Sequence, residues 1–189
     1  MNKTLRRLLK SLLLILLVLV LLVGVVGVIL PRQSYPQVEG EITLAGLDAP
    51  VDILRDQSGV PHIYATTTHD LFFAQGYVHA QDRFWQMDAW RHASSGRLSE
   101  MFGESQVKTD QFLRTLGWER VVLQELEMID PQTLLILESY AEGVNAYLAD
   151  HEGVALSLEY AVLGLLSPDY KPAPWEPKHS LTWAKAMAY

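Results

Sequence analysis

The sequence predicts an α+β domain that is preceded by a transmembrane helix. An uncharged run over residues 11–30 consists almost entirely of Leu, Val, Ile and Gly, as a membrane span requires. Short segments with apolar residues at alternating positions follow between residues 40 and 65, a pattern typical of half-buried strands. From residue 68 onwards most of the chain consists of helix-forming stretches that Pro and Gly separate.

The apolar run is long enough to cross a bilayer. Its stretch from Leu12 to Leu30 would form a helix of about 28 Å, close to the hydrocarbon thickness of about 30 Å. A signal peptide usually has a shorter apolar region that ends at a small-residue cleavage site. This run leads directly into Pro31 without an A-x-A pattern. We therefore expect an uncleaved anchor, with secretion after signal cleavage as the alternative.

Basic residues before the run predict its orientation. The first 30 positions contain no acidic residue, and the first ten contain four basic ones, Lys3, Arg6, Arg7 and Lys10. The positive-inside bias places them in the cytoplasm. The predicted organisation is therefore a cytoplasmic segment, a span, a tether and an extracytoplasmic domain, at residues 1–10, 11–30, 31–39 and 40–189.

The exported part is acidic and contains no cysteine. Four of the 15 Lys and Arg residues precede the span, so 11 remain against 22 Asp and Glu, a formal charge of −11. This charge argues against a nucleic-acid partner. The absence of cysteine excludes disulfides, a cysteine nucleophile and cysteine-bound metal from this chain, which fits a bacterial periplasmic protein.

Three strands are predicted directly after the tether. Residues 40–46, 51–56 and 60–65 each place apolar residues at alternating positions, and residues 57–59 (QSG) form a turn signal. Pro61 near the start of the third segment is compatible with a strand end or an edge. The pattern predicts a small antiparallel unit.

Helices are predicted for most of the remaining chain. The first extends from the cap candidates at residues 68–70 to Arg91, and its apolar residues lie all around the helix, so we expect it to be covered on several faces. A second helical region covers residues 109–128. Asp130 and Pro131 begin a third, in which Gly143 would allow close packing.

The end of the sequence predicts a wrapping loop and an interrupted helix. Proline recurs between residues 168 and 177, which favours an extended loop. Residues 180–189 then begin a helix that has no capping signal at its end. This pattern is typical of a piece of a larger protein that encloses it.

No self-contained catalytic motif occurs in these residues. His79, Asp82 and Arg83 could share one helix face, either as an acid–base or metal site or, with more weight, as a buried polar network. His62 is interpreted as structural. Core and interface packing is the better account of the five tryptophans, Trp85, Trp90, Trp118, Trp175 and Trp183.

Two long motifs resemble the start of α subunits of the penicillin acylase family. They are residues 53–65 (ILRDQSGVPHIYA) and residues 70–88 (DLFFAQGYVHAQDRFWQMD). Shorter matches follow in the family's order at residues 96–98 (GRL), 102–103 (FG), 140–146 (YAEGVNA), 174–177 (PWEP) and 185–188 (KAMA). The resemblance covers the chain from about residue 50 to its end, so it is far more specific than any single motif.

The resemblance implies an N-terminal-nucleophile hydrolase with an αββα fold, of which this chain is the α-subunit portion. In that family a precursor cuts itself and frees a serine at the start of a β subunit, and the serine's own α-amine acts as base. Hydrolysis of a linear N-acyl amide then proceeds through an acyl-enzyme. No catalytic residue is assigned to this chain, which we expect to be inactive without its β-subunit partner.

The resemblance also implies one substrate-binding residue and a cofactor outside the chain. Met187 stands where family α subunits place a methionine in the acyl pocket, with ordinary packing as the alternative. The family's calcium-binding glutamate comes after Met187, so no metal or cofactor is assigned here and calcium belongs to the full-length protein. Two alternatives to a penicillin acylase-like hydrolase remain: an acyl-homoserine lactone acylase of the same family and a non-catalytic, membrane-tethered module.

Overall fold

The structure is a computed structural model that describes residues 3–189. The chain divides into two compact units, Met1–Tyr35 and Pro36–Tyr189. The first two residues of the predicted cytoplasmic segment 1–10 lie outside the described residues.

The first unit contains one long helix, α1, from Lys3 to Gln33. Its part Leu12–Gln33 is long and apolar enough to cross a membrane by length and composition, with a mean hydropathy of 3.5. The helix ends where the amide and the Oγ of Ser34 both donate to the carbonyl of Pro31, at 3.2 and 2.8 Å. The apolar helix is confirmed, and it extends into the predicted tether; its crossing of a membrane stays a prediction.

The second unit begins with the predicted hairpin. Strand β1 (Asp52–Arg55) pairs antiparallel with strand β2 (Pro61–Tyr64). Asp56 closes the turn because its Oδ1 accepts the amides of Ser58 and Val60, at 2.8 and 2.9 Å. Local turn chemistry therefore forms this hairpin as the sequence indicates.

The strand predicted at residues 40–46 is wrong. This segment is irregular, and Gly40 and Gly46 adopt φ values of 91° and 107°, which interrupt an extended chain. A strand also needs a neighbour to pair its backbone groups, and the described sheet has two strands only. Leu44 packs against the hydrophobic core instead. The second unit is therefore mostly helical with one small hairpin, and the αββα layering stays a prediction.

Seven α-helices follow within the described residues. They are α2 (Thr68–Ser95), α3 (Leu98–Phe102), α4 (Val107–Leu116), α5 (Trp118–Leu126), α6 (Pro131–Asp150), α7 (Glu159–Leu166) and α8 (Pro177–Ala188). Short 3-10 turns occur at Glu104–Gln106 and Gly153–Ala155. The proline-containing segment between α7 and α8 is irregular, as predicted.

Helix α2 confirms the predicted long helix and extends beyond it. It begins after Thr67, whose Oγ1 accepts the amide of Asp70 at 3.0 Å, and ends at Gly96, which adopts a left-handed φ of 62°. Arg83 has non-helical angles (φ −144°, ψ 17°) and bends the helix. Its buried residues face several directions, so the expectation of a helix covered on more than one face is confirmed.

The remaining helices correct the prediction in three places. The region predicted as one helix at residues 109–128 forms two, because Gly117 adopts a φ of 74° between α4 and α5. Helix α7 was not predicted, and α8 begins at Pro177 rather than at residue 180. Helix α6 begins as predicted, with Asp130 Oδ1 accepting the amides of the first turn at 3.0 Å.

The core lies where α2 crosses α6. Buried side chains from both helices meet residues of α3, of α7 and of the segments on either side of α7: Tyr77, Ala80, Phe84, Met87, Met101, Ala141, Val144, Tyr147, Leu156, Tyr160, Leu163 and Trp175. The two helices approach closely at Gly76 and Gly143. A Cβ atom on Gly143 would lie 1.8 Å from the carbonyl oxygen of Phe73, so the close packing predicted at this glycine is confirmed.

Candidate functional site

An apolar groove lies between α2, α6 and α8, and we call it the α2–α8 groove. Its volume is about 590 Å³. Eight apolar or aromatic side chains line it, Phe72, Met87, Trp90, Ile136, Leu137, Tyr140, Trp175 and Trp183. Polar groups come from Gln75, His79, Arg83, Gln86 and Ser180. A concave apolar surface with a few polar groups is typical of small-molecule sites.

Two stacked tryptophans are among the residues that line the α2–α8 groove. The rings of Trp90 on α2 and Trp183 on α8 have centroids 4.6 Å apart and are nearly parallel, with an angle of 4°. Trp90 remains 43% exposed, so the pair presents an aromatic surface to the groove. Such a pair contributes about 0.5–1.5 kcal/mol beyond the burial of its area. It thereby helps to hold α8 against α2.

The polar edge of the groove does not form the site that helix spacing suggested. His79 Nδ1 lies 3.0 Å from the hydroxyl of Tyr140 on α6, and burial lowers the pKa of His79. Asp82 is occupied by Arg55 of β1, whose Nη1 and Nη2 donate to it at 2.8 and 2.9 Å. Arg83 lies at the bend of α2 and lines the groove. The three residues therefore form neither the acid–base or metal site nor the single buried network.

The segment before α8 is fixed to the core by hydrogen bonds. Arg91 Nη1 donates to the carbonyl oxygens of Ala173 and Pro174, at 2.8 and 3.2 Å. The side chain of Asn145 accepts the amide of Trp175 at 2.7 Å and donates to its carbonyl at 3.0 Å. These contacts from α2 and α6 fix the position at which α8 begins. They therefore also position Ser180 and Trp183, the α8 residues that line the groove.

A buried carboxylate, Asp88, holds Arg91 in place. Its Oδ1 accepts Arg91 Nε at 2.7 Å, and its Oδ2 accepts the hydroxyls of Tyr160 and Tyr170 at 2.6 Å each. Burial raises the pKa of both tyrosines, and the nearby Asp88 charge raises it further, so they remain neutral donors. The tyrosines follow Asp88 by more than 70 positions, so no local sequence pattern could have shown this cluster.

Helix α8 begins with a capping box in which a histidine takes the place of the usual Glu or Gln. The amide of Glu176 donates to His179 Nδ1 at 2.9 Å, and Glu176 in turn caps the amide of His179. Burial lowers the pKa of His179 to about 3, and the positive charge of Arg91 acts in the same direction. His179 is thus neutral in the folded protein, and its Nδ1 is free to accept.

Replacing His179 by Gln is expected to reduce the acid sensitivity of folding. In the unfolded chain His179 binds a proton below a pKa of about 6.5, whereas in the folded chain it does not until about pH 3. The contribution of neutral His179 to the free energy of unfolding is therefore complete above pH 6.5. It is lost as the pH falls, by ~2 kcal/mol at pH 5. His179→Gln keeps the capping acceptor without the titration.

Urea unfolding of residues 36–189 at pH 7 and pH 5, followed by tryptophan fluorescence, measures this difference. The wild-type free energy of unfolding is expected to fall by more than that of His179→Gln. Equal decreases in the two proteins would contradict a neutral, buried His179.

The predicted substrate-binding residue, Met187, lies on the same α8 face as Trp183, one turn further along. Its side chain is 66% exposed, and it is not among the residues that line the α2–α8 groove in the described chain. Its role in an acyl pocket stays a prediction. His62 is exposed on β2, with Nε2 3.6 Å from Asp56 Oδ2, and its interpretation as structural stays a prediction.

The α2–α8 groove can hold an apolar group, but the Ser180 hydroxyl that lines it is not activated as a nucleophile. Ser180 Oγ accepts Trp175 Nε1 at 3.1 Å, and the described residues place no basic side chain in hydrogen-bond contact with it. A nucleophile of the serine type needs an adjacent base. The described residues of this surface therefore support the binding of an apolar group.

Comparison with known proteins gives a consistent family assignment. The family model described as penicillin amidase matches residues 50–189. The chain is 40% identical over 148 residues to penicillin acylase 2 proenzyme from Pseudomonas sp. (strain SE83). This match covers 78% of the chain and 18% of that protein. It is also 37% identical over 147 residues to acyl-homoserine lactone acylase QuiP from Pseudomonas aeruginosa. This match covers 78% of the chain and 17% of that protein.

A solved structure agrees with the sequence comparisons. The chain is similar to a thermostable penicillin G acylase from Alcaligenes faecalis, with a TM-score of 0.64 and 29% identity. The match covers 74% of the chain described here and 72% of the solved one. The chain spans less than a fifth of the length of the curated relatives described above.

Proposed function

Since the chain belongs to the penicillin amidase family, we propose that it is the N-terminal, α-subunit part of a precursor that hydrolyses linear N-acyl amides. The observation that carries this proposal is the family match over residues 50–189, with 40% identity to a protein named as a proenzyme. The partner is then a β-subunit portion of the same precursor, and the substrate is a small N-acyl amide.

The proposed reaction uses a serine that lies outside this chain. Self-cleavage of the precursor would leave this serine at a new N-terminus, where its own α-amine removes the hydroxyl proton. The oxygen attacks the amide carbonyl, the amine leaves, and water hydrolyses the acyl-enzyme to a carboxylic acid. Hydrogen-bond donors of the β subunit would stabilise the oxyanion.

This chain would supply a wall of the acyl pocket. Helix α8 carries Trp183 and Met187 on one face, and the hydrogen bonds of Arg91 and Asn145 fix the segment before it. An unbranched thioether adapts to acyl groups of different shape. In this proposal Met187 contacts the acyl group, while Trp90 and Trp183 support the helix that presents it.

An acyl-homoserine lactone acylase is the second candidate. The observation in its favour is the similarity to acyl-homoserine lactone acylase QuiP at 37% identity, close to the 40% shared with penicillin acylase 2 proenzyme. The two activities use the same chemistry and differ in the acyl group and in the leaving amine. A direct comparison of N-acyl homoserine lactones with penicillins and N-acyl anilides separates them.

The first experiment is to read the coding frame after Tyr189 and to express the resulting precursor. We expect self-cleavage into two chains, a serine at the new N-terminus, and release of acid and amine from an N-acyl amide. An alanine at that serine should abolish both cleavage and turnover. An immediate stop codon, or an uncleaved protein without activity, would support the non-catalytic, membrane-tethered module instead.

The role of Met187 is tested with a matched pair of variants in the active precursor. Met187→Ala is expected to change KM for the preferred acyl group at least about fivefold, about 1 kcal/mol, with a smaller change in kcat. Met128→Ala is the control, because Met128 is also exposed, at 76% against 66% for Met187. It follows the end of α5 and is not among the described residues that line the α2–α8 groove. Equal effects of the two changes would assign Met187 to ordinary packing.

Localisation and metal binding of the full-length protein remain part of the proposal. We propose that α1 is an uncleaved anchor with the domain in the periplasm, and the mass of the purified protein distinguishes this from secretion after signal cleavage. The calcium ion implied by the family resemblance would use a glutamate beyond Met187. No ligand for it is assigned in this chain, so no step of the reaction is derived through it.

A further inference from the structure

The structure assigns a second site to this domain: we propose that Asp48, His69 and Asp70 bind a divalent transition-metal ion of the Zn²⁺ type. One ligand atom from each residue lies within 4.8 Å of the other two. His69 Nδ1 is 3.2 Å from Asp70 Oδ1 and 3.9 Å from Asp48 Oδ2. Tetrahedral zinc sites place their ligand atoms roughly 3.3–3.5 Å apart, given bond lengths of about 2.0–2.2 Å.

Small movements of one exposed side chain would complete this geometry. The side chain of Asp48 is 71% exposed, so it can rotate towards His69 without disturbing the core. The other two ligands are already held by the fold, since Asp70 Oδ1 accepts the amide of Asp48 at 2.9 Å and the ring of His69 packs near Phe73. Solvent reaches the site from the Asp48 side, which leaves a fourth position for water.

Asp70 provides an independent reason to expect a ligand. Its side chain is fully buried, and within residues 3–189 its Oδ2 has no hydrogen-bond partner. A buried carboxylate oxygen without a partner is rare and costs free energy. The oxygen that faces His69 Nδ1 is Oδ1, which also accepts the amide of Asp48, so an ion bound at Oδ1 would compensate the charge of the buried carboxylate without pairing Oδ2 directly.

The environment of His69 resembles that of a metal-binding histidine. Its second ring nitrogen, Nε2, lies 3.1 Å from Glu142 Oε2 on α6. Histidine ligands commonly donate this second N–H to a carboxylate, which fixes the tautomer and directs the free lone pair at the metal. Nδ1 faces the two aspartates, and the hydrogen bonds to Glu142 and Asp70 raise the pKa of His69. A bound ion would therefore have to displace the proton from Nδ1.

The ligand set indicates the class of ion. One imidazole nitrogen and two carboxylate oxygens suit zinc and its neighbours, whereas calcium and magnesium prefer oxygen ligands alone. The site would connect the segment before β1 with the start of α2 and, through Glu142, with α6.

Zinc titration of the full chain tests the site without any assay of activity. The chain is purified in detergent with an affinity tag that lacks histidine, and binding of ZnCl2 is measured by isothermal calorimetry. We expect one equivalent of Zn²⁺ and a higher thermal unfolding midpoint with zinc than with a chelator. His69→Ala and Asp48→Ala should each weaken binding at least tenfold, and Glu142→Gln should weaken it about tenfold.

The control is His62→Ala, which removes an exposed imidazole that also lies beside one aspartate, Asp56. It should leave zinc binding unchanged. Asp48 is exposed, so its alanine variant is expected to fold, and circular dichroism verifies this for each variant. Absence of zinc binding to the folded wild-type chain would overturn the proposal. So would binding that survives Asp48→Ala and His69→Ala, or that His62→Ala weakens to the same extent.

Discussion

Alanine at Gly143 is expected to lower the free energy of unfolding by more than about 3 kcal/mol, even though alanine favours helices over glycine. Its Cβ would lie 1.8 Å from the carbonyl oxygen of Phe73 and 2.9 Å from the amide nitrogen of Tyr77. Both are backbone atoms of α2, so no side-chain rotation relieves the overlap. Helices α2 and α6 would have to separate, and the core between them would lose contact.

A glycine without such a neighbour provides the control. Gly164 lies on the exposed side of α7, and a Cβ added there meets no atom of the described chain within 4 Å. Gly164→Ala should therefore gain up to about 1 kcal/mol from helix propensity. Urea unfolding of residues 36–189 compares the two variants. A Gly143→Ala protein that is as stable as the wild type would disprove the close approach of α2 and α6.

Alanine at Asp88 is expected to cost about 3–5 kcal/mol, because it leaves a buried charge without its partner. Arg91 is 3% exposed, and the only hydrogen-bond acceptors left for its guanidinium among the described residues would be the carbonyl oxygens of Ala173 and Pro174. The hydroxyls of Tyr160 and Tyr170 would lose their acceptor as well. The segment before α8 depends on Arg91, so we also expect α8 to become less ordered.

The matched control breaks an ion pair of the same spacing at the surface. Arg97 and Glu100 are also three residues apart and form two hydrogen bonds, of 2.8 and 2.7 Å, but both are substantially exposed. Glu100→Ala should cost no more than about 1 kcal/mol, since water replaces the lost partner. Chemical denaturation gives both values, and hydrogen exchange in α8 reports its order. Equal losses for Asp88→Ala and Glu100→Ala would show that Asp88 is not the centre of a buried network.

Elements with local causes were predicted correctly from the sequence. The turn at Asp56 and the cap at Asp130 depend on atoms within a few residues of the capping side chain, and those residues are adjacent in the chain. The prediction of the long helix α2 was also correct, because helix-forming residues continue along the whole segment. Gly117 was the local signal that the prediction at residues 109–128 overlooked, since its positive φ separates α4 from α5.

Spacing alone was a poor guide to the candidate sites. His79 and Asp82 share a helix, yet they have different hydrogen-bond partners. His79 contacts Tyr140 of α6, whereas Asp82 accepts from Arg55 of β1. Asp48 joins His69 and Asp70 only because the segment before β1 folds back to the start of α2. A sequence pattern does not contain the identity of a partner that is distant in the chain.

By itself the sequence determined the apolar helix α1, the hairpin, the main helices and membership of the penicillin amidase family, because composition, capping and extended motifs are properties of neighbouring residues. Only the tertiary structure decided that residues 40–46 remain irregular, that Asp88 gathers Arg91 and two tyrosines, and which residues line the α2–α8 groove. Burial and long-range hydrogen bonds depend on which elements pack together, and that choice is made by the folded chain as a whole.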